Sequence, residues 1–100
     1  MLILPIKKKW FDMIASGEKK EEYREIKPYY DSRLPCYFEY SKSVENEVVF
    51  RNGYSHNSPQ LKCKCALDVG TGKPEWGAEE GKEYYVLKII EVINNVKSYK

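Results

Sequence analysis

The amino-acid sequence predicts a small mixed barrel or an α+β domain, mainly β, with one or two short helices. Two observations favour this class. Short apolar or alternating segments, the pattern of strands, recur along the chain between turn-forming residues. Only one clear amphipathic helical stretch stands among them, so strands and helices do not alternate as they do in parallel α/β folds. We expect the 100 residues to form one domain with a modest core.

The predicted elements follow from local patterns along the chain. After an apolar first segment, an apolar helical stripe is formed by Trp10, Phe11, Met13 and Ile14, and we expect Trp10 to be a core residue. Gly17 ends that helix, and Pro28 ends the charged strand that follows. The predicted strands are residues 1–6, 18–26, 36–40, 48–50, 61–69 and 83–93. The predicted helical segments are residues 7–16 and 29–34, the connections are 41–46, 51–59 and 70–77, and the frayed tail is 94–100.

The last two predicted strands carry different patterns. Apolar and polar side chains alternate in residues 61–69, which predicts a half-buried strand with Cys63 and Cys65 on its apolar face. A zinc site needs about four ligands, and no second Cys pair or nearby His is present. We therefore interpret these thiols as core residues and expect no metal and no cofactor. Residues 83–93 are mostly apolar on both faces, which predicts the buried centre of the sheet.

Composition and charge limit the partners. The net charge of +2 gives a weak overall field, so any attraction for nucleic acid must come from local Lys and Arg clusters. No apolar run approaches the roughly 20 residues of a membrane span, and the first residues do not resemble a signal peptide. Three Cys, an odd number, predict reduced thiols and a cytoplasmic protein without a membrane partner.

Residues 17–24 are the strongest candidate for a functional site. An extended segment there puts Glu22 and Arg24 on one side and Tyr23 on the other. With Lys19 nearby, the carboxylate and the guanidinium form a polar cluster that can bind a ligand or do chemistry. The alternatives are a structural ion pair between Glu22 and Arg24, and a solvated charged face.

Further candidate ligand-binding residues lie in two segments. Basic and aromatic side chains, the pattern that follows a nucleic-acid backbone and stacks bases, are interleaved in Lys27, Tyr29, Tyr30 and Arg33. The predicted loop adds Arg51, Asn52 and Tyr54, and Asn and Arg side chains match base edges and phosphates. The alternative for the residues near position 29 is a packed connector. The basic residues 7–9 are either solvated or a lip that contacts phosphate.

The pattern Gly17-x-Lys19-x-x-Glu22-x-Arg24 resembles the signature of the ASCH domain family, in the PUA-like superfamily, at all four of its positions. Its place after a strand and a helix is also similar to that family. Farther along, the resemblance to small bacterial and phage members rests on Gly70, Gly72, Trp76, Gly77 and residues 84–89.

The resemblance implies a PUA-like β-barrel with a cleft between barrel and helix, lined by Lys19, Glu22 and Arg24. It also implies a domain that binds RNA. Some family members are hydrolases that remove the acetyl group from acetylated cytidine, with a Lys, a Thr three residues later and a distant Glu. Here Lys19 matches, but Glu22 stands where the Thr nucleophile would be. An enzyme would therefore need another mechanism, with Glu22 as general base and Lys19 or Arg24 stabilising an oxyanion.

Three functional hypotheses follow. The favoured one is an RNA- or modified-nucleotide-binding domain, because Lys19 and Arg24 can engage a phosphate or a base edge and Glu22 can accept from an exocyclic amine. The second is a small hydrolase acting on a modified nucleoside or on RNA, with Lys19 and Glu22 as catalytic residues. The third is a non-enzymatic protein-interaction factor with an exposed Tyr-rich patch.

Overall fold

Five strands and three short helices make up the part of the chain that the computed structural model describes, residues 2–38, 44–55 and 57–96. The strands are β1 (Leu2–Ile6), β2 (Glu21–Arg24), β3 (Glu45–Asn52), β4 (Gln60–Thr71) and β5 (Glu83–Val96). The helices are α1 (Lys8–Ser16), α2 (Pro28–Asp31) and α3 (Leu34–Tyr37), with a 3-10 turn at Pro74–Trp76. The predicted α+β class is confirmed.

The sheet is mixed and has β1 and β2 at its two ends. The strand order is β1-β3-β4-β5-β2, and β1 runs parallel to β3 while the other neighbouring pairs are antiparallel. The β4–β5 pairing shifts register twice within residues 62–65, and such bulges bend and twist a strand. The sheet forms a half-barrel whose ends meet, because Arg24 of β2 donates from Nη2 to the Pro5 carbonyl of β1 at 2.8 Å.

The core packs one face of this sheet against α1 and the α3 segment. Phe11 and Ile14 of α1 and Leu34 of α3 are buried. Four strands complete the cluster with Leu4, Ile6, Val48, Phe50, Leu61, Cys63, Cys65, Leu67, Tyr85 and Leu87. The interpretation of the two β4 thiols as core residues is confirmed, and burial raises the pKa of Cys63 to about 12.

The predicted strand over residues 36–40 is wrong in its described part. Leu34–Tyr37 forms helix α3, in which the Phe38 N–H donates to the Leu34 carbonyl at 3.1 Å. Pro35 is tolerated because the first turn of a helix needs no partner for its N–H groups. The Tyr37 hydroxyl then reaches β3 and donates to the Glu47 carbonyl at 2.5 Å. The hydrogen bond from Tyr37 to β3 and the burial of Phe38 therefore favour a helix here, although the aromatic residues of this segment predict a strand.

The predicted position of the last strand at the centre of the sheet is also wrong. The central strand is β4, and β2 pairs with β5 only over residues 85–88 of β5. Farther along β5, Ile90 and Ile93 are 52% and 41% exposed. The strand also continues to Val96, although the sequence predicts a frayed tail from residue 94.

Other boundaries differ by a few residues. Strand β2 is shorter at both ends than the predicted strand over residues 18–26, and β3 extends beyond residues 48–50 into the predicted turn and loop. The predicted helical turn over residues 29–34 is divided between α2 and α3. Helix α1 begins one residue later than predicted and ends at Ser16, as expected from Gly17.

Candidate functional site

Gly17 determines where the charged segment begins. Its φ of +87° lies in the left-handed region, and its N–H donates to the Ile14 carbonyl at 3.1 Å. Two residues later, the Lys19 N–H donates to the Met13 carbonyl at 2.9 Å. These bonds end α1 and turn the chain toward the sheet, so that the Lys19 side chain points into the protein and is 1% exposed.

Lys19 is a buried cation with several partners. Its Nζ donates to the Trp76 carbonyl at 2.5 Å and lies 3.3 Å from Glu22 Oε1. It also lies 4.9 Å from the Trp10 ring centroid and 5.0 Å from that of Tyr23, at cation–π distance. Burial lowers the pKa of Lys19, while the Glu22 carboxylate acts in the opposite direction. The Lys19 ammonium therefore contacts residues of α1, of β2 and of the segment that precedes β5.

Glu22 and Arg24 continue this network toward β1. Glu22 is 7% exposed, and its Oε2 accepts from Arg24 Nε at 3.1 Å and from Nη2 at 2.8 Å. The Arg24 guanidinium also donates from Nη1 to the Tyr30 hydroxyl at 3.1 Å and from Nη2 to the Pro5 carbonyl. The predicted same-side arrangement of Glu22 and Arg24 is confirmed. The triad Lys19–Glu22–Arg24 thus has a structural role, because it holds the two ends of the sheet together.

A cavity of about 260 Å³ opens beside the triad, where β1 and β2 meet. We name it the seam cleft. Its aromatic lining is Trp10, Tyr23, Tyr30 and Tyr84. Its charged lining is Lys7, Glu22, Arg24, Glu25 and Lys27. Lys19 contacts Glu22 below this surface and is not part of the lining. The arrangement offers ring faces, exposed cations and one fixed carboxylate–guanidinium pair to a ligand.

The structure separates the other predicted ligand-binding residues. Lys27 lines the seam cleft, whereas Tyr29 lies outside it and stacks with Arg33, whose guanidinium carbon is 3.6 Å from the ring centroid. Asn52 and Tyr54 line a neighbouring cavity instead.

Arg51 is held within the sheet. The side-chain oxygen of the buried Gln60, oriented toward the guanidinium, accepts from Arg51 Nε at 2.9 Å and from Nη2 at 2.8 Å. The geometry thus places Glu22, Arg24 and Lys27 together, puts Lys19 beneath them, and leaves Tyr29 and Arg51 apart. The role of each of these six residues in ligand binding stays a prediction.

Two cleft residues, Trp10 and Tyr84, were not predicted as ligand contacts from the sequence. Trp10 appears in the sequence as a core residue on the helical stripe, yet it is only half-buried and faces the cleft. Tyr30 belongs to the predicted basic and aromatic segment with Lys27, Tyr29 and Arg33, and of these four residues only Lys27 and Tyr30 line the cleft. Tyr84 gave none, since only the pairing of β2 with β5 brings its ring 5.7 Å from that of Tyr23.

The segment before β5 supports the cleft from the side. Tyr23 donates its hydroxyl hydrogen to Glu21 Oε1 at 2.8 Å and accepts from the Lys73 N–H at 2.9 Å, so its ring is fixed. A Cβ atom at Gly72 would lie 2.7 Å from that ring and from Ala78. Gly72 is therefore required by close approach to Tyr23 and not by backbone angle.

We expect Gly72→Ala to lower the free energy of unfolding by about 1–3 kcal/mol, because overpacking displaces the Tyr23 ring. The matched control is Gly70→Ala in the same stretch, since a Cβ atom there would contact nothing within 4 Å. Urea denaturation of both variants measures the difference. Equal stabilities for the two variants would show that Tyr23 yields easily and that the segment does not support the cleft.

Comparisons of the chain with protein-family models, with curated proteins and with solved structures found no match. Within residues 2–38, 44–55 and 57–96, no helix is long and apolar enough to cross a membrane. Over the same ranges, no three His, Cys, Asp or Glu side chains are grouped so that they could hold a metal ion. The fold and site define an α+β half-barrel in which a Lys–Glu–Arg triad, with Lys19 and Glu22 buried and Arg24 half-buried, lies beside an aromatic cleft.

Proposed function

We propose that the seam cleft binds a single nucleotide, either free or as an unpaired residue of RNA, and that the chain is an ASCH-type domain of PUA-like fold. The observation that carries this proposal is the combination of four aromatic rings with three cations around one small cavity. Cavities for drug-sized ligands measure about 300–1,000 Å³. A cleft of about 260 Å³ therefore suits a ligand near the size of one nucleoside.

Each class of lining residue has a counterpart on a nucleotide. The rings of Trp10, Tyr23 and Tyr30, which are only partly buried, offer faces on which an unstacked base can lie. The ring of Tyr84 is buried and packs beside that of Tyr23. Glu22 can accept from an exocyclic amine such as that of cytosine. The ammonium groups of Lys7 and Lys27 can engage the phosphate. Lys27 is available because its pairing with the exposed Glu25, at 3.8 Å, is loose.

The neighbouring carboxylate does not prevent phosphate binding. Glu25 also lies 3.4 Å from Lys82 Nζ, so a cation outside the cleft offsets its charge when Lys27 contacts the phosphate. The ASCH motif supports the same reading of the site, since its Lys, Glu and Arg are the three residues of the triad. The curved five-stranded sheet beside one helix is consistent with a PUA-like barrel.

A hydrolase at this site is less favoured than a binding domain. As general base, Glu22 would have to accept a proton from water. Its carboxylate already accepts two hydrogen bonds from Arg24 and lies 3.3 Å from Lys19. Such contacts occupy the carboxylate oxygens and fix the position of the side chain. They suit recognition of a base better than proton transfer.

The proposal predicts the effect of Lys27→Ala. We expect this variant to bind ribonucleoside monophosphates roughly tenfold more weakly than wild type, because one charged contact to phosphate is lost. Binding of the matching nucleosides, which lack the phosphate, should not change. Isothermal titration calorimetry with the four monophosphates and the four nucleosides, at two salt concentrations, measures both effects.

The matched control is Lys62→Ala. Lys62 is also a partly exposed lysine in a weak ion pair, with Glu47 at 3.7 Å, but it lies on β4 and does not line the cleft. Its loss should leave both affinities at the wild-type value. The proposal fails if wild type binds no monophosphate at millimolar concentration and low salt, or if Lys27→Ala and Lys62→Ala weaken binding equally.

A further inference from the structure

A second cavity adjoins the seam cleft. It measures about 430 Å³ and is lined by Asn52, Gly53 and Tyr54 together with residues 5–7. We name it the loop pocket. Residues 5–7 also line the seam cleft, so the two cavities share one wall at the end of β1. Lys7 belongs to this shared wall and is exposed.

The turn that presents Tyr54 is held by its own hydrogen bonds. The Asn52 N–H donates to the Pro59 carbonyl and the Gly53 N–H to the Arg51 carbonyl, each at 2.9 Å. Gly53 has a φ of +118°, which favours glycine, and a Cβ atom there would lie 2.9 Å from Ser58 Oγ. The backbone before Tyr54 is therefore fixed, and the ring is presented from a defined position.

Tyr54 has no packing role that explains its aromatic side chain. It is 88% exposed, more than any other large apolar or aromatic side chain that the structure describes. An exposed ring at the edge of a cavity can receive the face of a base, and stacking of this kind tolerates any base. The adjacent Asn52 side chain has both a donor and an acceptor for a base edge.

We propose that the seam cleft and the loop pocket are neighbouring subsites for two consecutive nucleotides of a single-stranded nucleic acid. One base occupies the seam cleft, Tyr54 stacks the next base, and Lys7 on the shared wall contacts the phosphate that links them. This inference rests on the proposed function of the seam cleft. It makes the ligand an oligonucleotide rather than a free nucleotide. A duplex is excluded as ligand because its bases are already stacked and paired and cannot enter two cavities.

The test compares ligands of increasing size on the intact protein. The probes are the four ribonucleoside monophosphates, the corresponding nucleoside 3′,5′-bisphosphates, and the four homodinucleotides with a 5′-phosphate. We expect the dinucleotides to bind roughly 5- to 150-fold more tightly than the monophosphates, the range that one base–aromatic stack supplies. The bisphosphates, which have a second phosphate but no second base, should gain less than the dinucleotides.

Variants test whether the tighter binding of dinucleotides arises in the loop pocket. Tyr54→Ala should remove the dinucleotide gain and leave monophosphate binding unchanged, whereas Tyr54→Phe should retain the gain because the ring remains. Tyr54→Ala carries no folding cost because the side chain is exposed. The matched control is Tyr29→Ala, another exposed tyrosine that lines neither cavity and should not alter the gain.

The outcomes separate this inference from the proposed function. If monophosphates bind and dinucleotides bind no more tightly, or if Tyr54→Ala retains the gain, the two-subsite inference is wrong and the proposed function stands. If neither ligand binds, both are wrong. Deoxyribonucleotide versions of the probes identify the source of the strand: weaker binding indicates RNA, because it shows a contact to the 2′-hydroxyl, and equal binding indicates any single strand.

Discussion

Replacement of Glu22 by Gln is expected to lower the free energy of unfolding by about 3–5 kcal/mol, the loss typical of breaking a buried ion pair. Glutamine keeps the size of the side chain, so the loss comes from charge. Lys19, 1% exposed, would lose the carboxylate 3.3 Å from its Nζ and keep only the Trp76 carbonyl and two ring faces. Arg24 would lose a charged acceptor as well.

The matched control is Asp12→Asn, which breaks the exposed Lys8–Asp12 pair at 2.6 Å. That change should cost only about 0–1 kcal/mol, although the pair is the shorter of the two. Urea denaturation of both variants measures the contrast. If Glu22→Gln costs no more than Asp12→Asn, the triad does not stabilise the junction of β1 and β2.

The pH dependence gives an independent check of the same variant. Burial lowers the pKa of Lys19 below its usual 10.5, and the Glu22 carboxylate partly offsets this effect. In Glu22→Gln the pKa of Lys19 falls further, so the unfolded chain binds more protons than the folded one up to about pH 10.5. Stability from this group therefore rises with pH. We expect the deficit of Glu22→Gln relative to wild type to shrink between pH 7 and pH 10, and a constant deficit would contradict the role of Lys19.

Arg24→Lys is expected to cost about 2–4 kcal/mol despite conserving the charge. A lysine ammonium cannot reproduce the guanidinium fork that contacts Glu22, Tyr30 and Pro5 together. Each hydrogen bond that involves a charged group contributes about 1.5–3 kcal/mol to stability. The contact to the Pro5 carbonyl joins the two ends of the sheet. Its loss should speed amide hydrogen exchange in β1 more than in β4.

Arg33→Lys is the control for Arg24→Lys. Arg33 is also an arginine beside a tyrosine, but it is exposed and its Nη1 donates to the Tyr29 carbonyl at 2.7 Å without joining two strands. The Arg33→Lys substitution should leave the amide exchange rates of β1 unchanged and alter the free energy of unfolding by less than about 1 kcal/mol. Slow exchange in β1 of Arg24→Lys would mean that the parallel pairing with β3 alone holds that strand.

Local rules predicted the parts of the fold that depend on neighbouring residues. Gly17 ends α1 because it adopts the left-handed backbone conformation, which glycine reaches at little cost. Alternation along β4 placed Cys63 and Cys65 in the core, and the two-residue spacing placed Glu22 and Arg24 together. Each of these results needs only the geometry of one helix or one strand.

The order of strands lay beyond such rules. Residues 83–93 are apolar on both faces, which is typical of a central strand, yet β2 covers only part of β5 and Ile90 and Ile93 remain exposed. The resemblance to the ASCH family implies a cleft beside the triad, but local patterns could not predict its aromatic lining, for the same reason. Trp10, Tyr30 and Tyr84 come from three separate elements and meet only because the sheet curves until β1 and β2 touch.

The most direct test of the nucleotide site is chemical-shift mapping by NMR, with the four ribonucleoside monophosphates added to the isotopically labelled protein. We predict that the largest shifts fall on the backbone amides of Glu22, Arg24 and Tyr30 and on the indole N–H of Trp10, and that they saturate with one ligand. Shifts spread over the surface lysines of β4, or no shifts at millimolar ligand, would contradict the account. The triad would then be structural only.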